Sequence, residues 1–131
     1  MTIASIRNCL IEHLSSEAPP GLVRIAYLFG SFALDSQRPE SDVDLAFLVA
    51  HEAYAVDAFE CTAPLHMIAA RMGASLERAV DVTVLNSASL EIAYEVVSGG
   101  KCLFESHPEQ RMEYELKIRG MYFDFRPFIH E

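Results

Sequence analysis

The run Asp42-Val43-Asp44-Leu45-Ala46-Phe47-Leu48-Val49 constrains the fold more than any other stretch. In an extended chain successive side chains point to opposite faces. Val43, Leu45, Phe47 and Val49 therefore form one apolar face, and Asp42 and Asp44 share the other. The residues after Asp44 read as a buried strand, too apolar to carry an unpaired charge at low cost. A strand that buries its body and aims two carboxylates from one end must be layered against helices and must offer those acids a partner.

The rest of the chain supplies such layers. Ile3, Ile6, Leu10 and Leu14 recur at helical spacing and predict an amphipathic helix over residues 3–14, ended by Pro19-Pro20-Gly21. Val23–Phe29 is rich in β-branched and aromatic residues and reads as a strand. Gly30-Ser31 breaks it, with Ser31 placed to cap a short helical turn through Leu34. Asp35–Ser41 is a polar loop. A helix is expected over Ala55–Met72, interrupted near Pro64, and a third strand over Val80–Leu85. Ser87–Val97 is a helix capped by Ser87 or Ser89 and stopped by Gly99-Gly100. Lys101–Glu105 is a short edge strand, and Pro108 opens a last helix to about Met121. Tyr122–Phe128, with three Phe and one Tyr, follows as a tail that either folds back on the core or docks a partner. Alternating strands and helices indicate a single α/β (α+β) domain over residues 1–131.

Composition narrows the function. The chain has 131 residues and a formal net charge of −9, from 19 acidic and 10 basic side chains. An acidic surface repels phosphate backbones, so direct nucleic-acid binding is not expected; a cationic small molecule or a basic protein face suits it better. The apolar runs are shorter than the roughly 18 residues that span a bilayer, and no signal peptide is visible. Cys9, Cys61 and Cys102 are widely spaced and form no C-x-x-C pair, as expected of reduced thiols in a cytoplasmic protein.

Chemistry concentrates around the two acids. Asp42 and Asp44 project from one face, and such carboxylates repel unless a cation neutralises them; their oxygen donors suit Mg²⁺. Asp81, at the start of the third strand, is the candidate third ligand. Two ions roughly 4 Å apart would activate an attacking hydroxyl and stabilise a leaving oxygen. Gly30 lets backbone approach a phosphate closely, and the Ser31 hydroxyl adds a donor. Arg71 and Arg78 could reach a triphosphate, but single arginines near helix ends are more often solvated or salt-bridged. Tyr27, beside the turn, reads as core. The five histidines show no ligand spacing.

Tyr27-Leu28-Phe29-Gly30-Ser31-Phe32-Ala33, running into Ser41-Asp42-Val43-Asp44-Leu45, resembles the DNA polymerase β-like nucleotidyltransferase superfamily. The likeness is strongest to the minimal nucleotidyltransferase (MNT) antitoxins of HEPN/MNT toxin–antitoxin pairs. That resemblance implies a palm-like fold, a small mixed β-sheet packed against helices. It implies Gly30 and Ser31 as nucleotide-binding residues and Asp42, Asp44 and Asp81 as catalytic, metal-binding acids, with Mg²⁺ as cofactor and ATP as substrate. It also implies a partner, a HEPN-domain ribonuclease toxin silenced by transfer of AMP to one of its tyrosines. Where the family carries Arg-Gly after the Gly-Ser-Phe-Ala stretch, this chain has Leu34-Asp35; Arg38 is the candidate replacement contact to phosphate. Two other readings stay open: an inert module that neutralises its toxin by occupancy, and an enzyme for a cationic drug of the aminoglycoside kind.

Overall fold

A computed structural model describes residues 1–31 and 41–129, with side chains described through residue 125. The chain runs α1 (Ile3–Glu17), β1 (Val23–Phe29), β2 (Val43–Val49), α2 (His51–Val56), α3 (Ala58–Leu76), β3 (Val80–Val84), α4 (Leu90–Gly99), β4 (Lys101–Glu105) and α5 (Pro108–Ile129). The strands form one mixed sheet in the order β3-β2-β1-β4. β1 is antiparallel to both β2 and β4, whereas β2 and β3 are parallel, joined through α2 and α3. The expected mixed sheet packed against helices is what is found, and Lys101–Glu105 is an edge strand as expected.

Alternation along the central strands produces two cores. Val43, Leu45, Phe47 and Val49 point with Ala26 and Leu28 toward Ile6 and Leu10 of α1 and Leu65, Ile68 and Met72 of α3. On the other face Ile25, Tyr27 and Ala46 pack under Ala93, Val96 and Val97 of α4 and Ile118 of α5. Helices thus cover both faces, which is why β1 and β2 read as nearly continuous apolar runs. Asp44 shares its face with Ala46, beyond the edge of the second core.

Local chemistry sets most element ends. Thr2 and Ser5 form a reciprocal capping box at α1, with each side-chain oxygen accepting the other's backbone N–H. Ser89 caps α4 by accepting the Ile92 N–H at 3.2 Å. Gly100 ends α4 at negative φ, so it is required for space: a Cβ there would strike the Val96 carbonyl and lie 3.0 Å from the Leu28 carbonyl of β1.

Two expectations are corrected. The helix expected over Ala55–Met72 is two helices, broken at Asp57 and continuous through Pro64. Asp57 has extended backbone and its carboxylate accepts the Glu60 N–H at 3.0 Å, so it closes α2 and caps α3 in one residue. Pro64 forfeits one helical N–H bond, but Cys61, Leu65, Ile68, Ala69 and Met72 are buried along the same helix, and that packing outweighs the loss. Residues 122–128 are also no separate tail, because α5 continues to Ile129. Tyr122 stacks on Tyr94 of α4 at 3.7 Å between ring centroids, and Phe123 meets both rings edge-on. The turn expected through Leu34, the Leu34-Asp35 departure and Arg38 lie outside the described residues.

Candidate active site

The acids meet where three strand ends converge. β2 opens with Val43, whose N–H donates to the Ala79 carbonyl at 2.9 Å. This sets the parallel register, in which Asp44 lies directly beside Asp81 and Val43 beside Val80. On the other flank Asp44 pairs with Phe29, the last residue of β1. Side-by-side residues of a sheet share a face, so Asp44 and Asp81 project together. Asp42 precedes the strand and is exposed, Asp81 is exposed, and Asp44 is half-buried between its neighbours.

Gly30 completes the corner. Its φ is +78°, a left-handed conformation open to glycine at little cost. A Cβ built on it would run into the Asp44 carboxylate oxygen. Glycine is therefore required twice, once for the turn and once for space, and the backbone of the β1 turn lies directly on the central acid. Ser31 follows in the same turn.

Electrostatics tie the trio together. The Asp44 carboxyl is pushed above the usual carboxylate range, first by partial burial, then by the negative charges of Asp81 and Asp42. Asp81 and Asp42 thus both lie within Coulombic reach of Asp44. Among the described residues, however, no three acidic, histidine or cysteine side chains close into a ready-made metal cage. These two observations agree if the cation is held by one or two carboxylates, with water and substrate phosphate completing its shell. That is the ordinary habit of Mg²⁺. Hard oxygen donors, with two carboxylates raising the proton affinity of Asp44 between them, fit such an ion.

Arg78 is more closely engaged with this corner than its sequence position suggests. Glu77 ends α3 in a left-handed conformation, φ 56° and ψ 42°, and the Arg78 N–H returns to the Gly73 carbonyl at 3.2 Å. The turn delivers the Arg78 guanidinium to the Ser41 carbonyl at 3.2 Å, next to Asp42. Arg71, by contrast, is paired with Glu17 at 2.7 Å, so α3 spends it on α1. Tyr27 is 1% exposed and in the core, as expected, but its hydroxyl donates to Glu115 of α5 at 2.7 Å. A cavity of about 590 Å³ bordered by Arg24, Val49, Tyr114 and Lys117 lies at the far end of the sheet and does not include the acids.

A mixed sheet whose central strand presents Asp-x-Asp, flanked by a Gly-Ser turn and a third acid on the parallel neighbour, has the layout expected of a nucleotidyltransferase. The chain belongs to the polymerase β nucleotidyltransferase family, which matches over residues 10–109. It is 29% identical over 115 residues to the protein adenylyltransferase MntA of Shewanella oneidensis strain MR-1, covering 88% of this chain and 76% of that protein. It is also similar to a crystal structure of a toxin–antitoxin with AMP-PNP, at a TM-score of 0.71 and 27% identity over 94% of each chain. A third likeness is to a tri-AMPylated Shewanella oneidensis HEPN toxin in complex with MNT antitoxin. There the TM-score is 0.68 and the identity 25%, over 96% of this chain and 94% of that one. No helix among the described residues is long and apolar enough to cross a membrane.

Proposed function

We propose that this chain, acting as one catalytic domain over residues 1–131, is a protein adenylyltransferase. It moves AMP from ATP to a tyrosine of a cognate HEPN toxin and thereby works as an antitoxin. The observation that carries the reading is the Asp42, Asp44 and Asp81 set, electrostatically coupled and covered by the Gly30 turn. The likeness to MntA and to a tri-AMPylated toxin complex supports AMP as the group moved and a HEPN protein as the acceptor.

In this reading Asp42 and Asp44 hold Mg²⁺, which when bound neutralises charge developing on the phosphates. Gly30 allows the turn's backbone to approach the phosphates, and the Ser31 hydroxyl and Arg38 donate to them. Asp81 takes the proton of the tyrosine hydroxyl as its oxygen bonds to the α-phosphorus. The bond from that phosphorus to the bridging oxygen breaks, and pyrophosphate leaves. Arg78 holds the Ser41 carbonyl and so keeps Asp42 at the mouth of the site. The half-exposed Phe123 and Phe125 near the end of α5 support a contact with the partner there.

The test is to incubate the chain with its toxin, ATP and Mg²⁺ and to weigh the toxin by mass spectrometry. Added adenylyl groups are expected with the native chain and none with Asp42→Asn plus Asp44→Asn. An unmodified toxin with every nucleotide tried refutes the enzymatic reading. Rescue of cells by the double variant at ordinary expression would show that occupancy suffices.

A further inference from the structure

We infer that the α2–α3 elbow is an exosite that docks the AMP-accepting protein through a basic-flanked amphipathic helix; this rests on the adenylyltransferase reading. Val56 ends α2 and Phe59 lies in the first turn of α3, separated by the extended Asp57. They are 88% and 87% exposed, the most exposed of the large apolar side chains described. Isolated exposed apolar residues are ordinary, but Val56 stands at the rim of an apolar hollow, and Phe59, across the elbow, borders a smaller one with Tyr54, Ala58 and Thr62. A groove of about 610 Å³ opens beside Val56, floored by Pro19, Pro20, Leu22, Ala53 and Pro64.

Charge decides the occupant. Glu52, Asp57 and Glu60 stand along the same groove, and none of its lining residues is basic. The whole chain carries −9. An apolar trough with an acidic rim is matched by a helix that presents an apolar ridge flanked by Lys or Arg. A second copy of this chain would bring its own acidic rim against the first, so self-association is disfavoured.

The groove cannot be the reaction centre. Asp44 lies at the start of β2, whereas the elbow follows the end of that strand, which is itself about 17 Å from Asp44 at the usual rise per residue. Docking at the elbow and chemistry at the acids are therefore separable functions of two ends of one sheet. The elbow contributes affinity and partner choice, and the acids contribute turnover.

The test uses Val56→Glu with Phe59→Glu in the full chain. Both positions are solvent-exposed, so the fold is expected to persist, and circular dichroism checks it. Calorimetric titration with the cognate toxin should show affinity weakened on the order of tenfold or more. In steady-state transfer assays KM for toxin should rise with kcat unchanged. Unchanged affinity and KM would overturn the exosite, and so would a native chain that sedimentation shows to be a dimer broken by the substitution. Loss of kcat at saturating toxin would overturn it too, by assigning the elbow to the chemistry. If the native chain binds toxin, the variant does not, and neither transfers AMP, the exosite stands and the adenylyltransferase reading falls.

Discussion

Asp44 is where function and stability conflict most directly. Its carboxyl proton affinity is raised in the folded chain by partial burial and by Asp81 and Asp42. A carboxyl so raised favours the folded state while protonated, and that advantage is lost as pH climbs from the ordinary value of 3.8 through the folded one. At neutral pH the metal-free protein therefore carries a repulsion that Asp44→Asn removes. The variant is expected to melt at a higher temperature than the native chain without metal, while AMP transfer disappears; differential scanning fluorimetry and the mass assay read the two effects. Gly30→Ala should lose on both counts. The left-handed backbone alone costs roughly 1–2 kcal/mol, and the new methyl displaces Asp44. Arg78→Ala removes the hold on Ser41, so single-turnover transfer should slow severalfold and Arg78→Lys should recover part of it. Tyr114 tests the opposite end of the sheet. Its hydroxyl is buried with no hydrogen-bond partner among the described residues. Tyr114→Phe is thus expected to raise stability at neutral pH by about 1 kcal/mol in urea titrations. Burial also lifts that phenol from 10.0 to about 12. Between these values the unfolded chain releases a proton the folded one keeps, so stability falls as pH rises through this window, less steeply in Tyr114→Phe.

Among the elements, α5 depends on one part-buried hydrogen bond to the core more than on its surface ion pairs. Arg111 bridges Glu105 at 3.2 Å and Glu115 at 3.0 Å, but these groups are a fifth to more than a third exposed and solvent screens them. The bond from the Tyr27 hydroxyl to Glu115 lies against the core, and Tyr27 itself is 1% exposed. Glu115→Ala strands that hydroxyl and should cost about 1–3 kcal/mol, whereas Glu115→Gln keeps an acceptor and should cost less. Denaturant midpoints of the two variants check this. Element by element, the strands were legible because period-two apolar patterns identify them. The helices were harder. Pro64 argued for a break that tertiary packing overrides, while the actual break sits at Asp57, a capping residue indistinguishable in sequence from any other surface acid. The aromatic end looked like a tail because its partner, Tyr94, is on another helix.

At the scale of the molecule the two ends of the sheet divide the work, and net charge links them. A chain at −9 repels an anionic nucleotide and attracts a basic partner face. Association with a basic partner should accordingly slow as ionic strength rises, measurable by stopped-flow mixing across a salt series, with dissociation much less affected.

The sequence by itself determined the strands, the Gly30-Ser31 turn and the Asp42-Val43-Asp44 motif at the head of β2. These depend on alternation and on the conformational freedom of glycine, both local properties. Only the tertiary structure decided that Asp81 lies beside Asp44, because that depends on the parallel register of β3, whose Asp81 is far from Asp44 along the chain. It alone showed that Gly30 is held open by the Asp44 carboxylate and that Arg78 steadies Ser41 while Arg71 does not reach the site. Contacts between distant segments are fixed by packing, and a pattern read along the chain carries periodicity but not proximity.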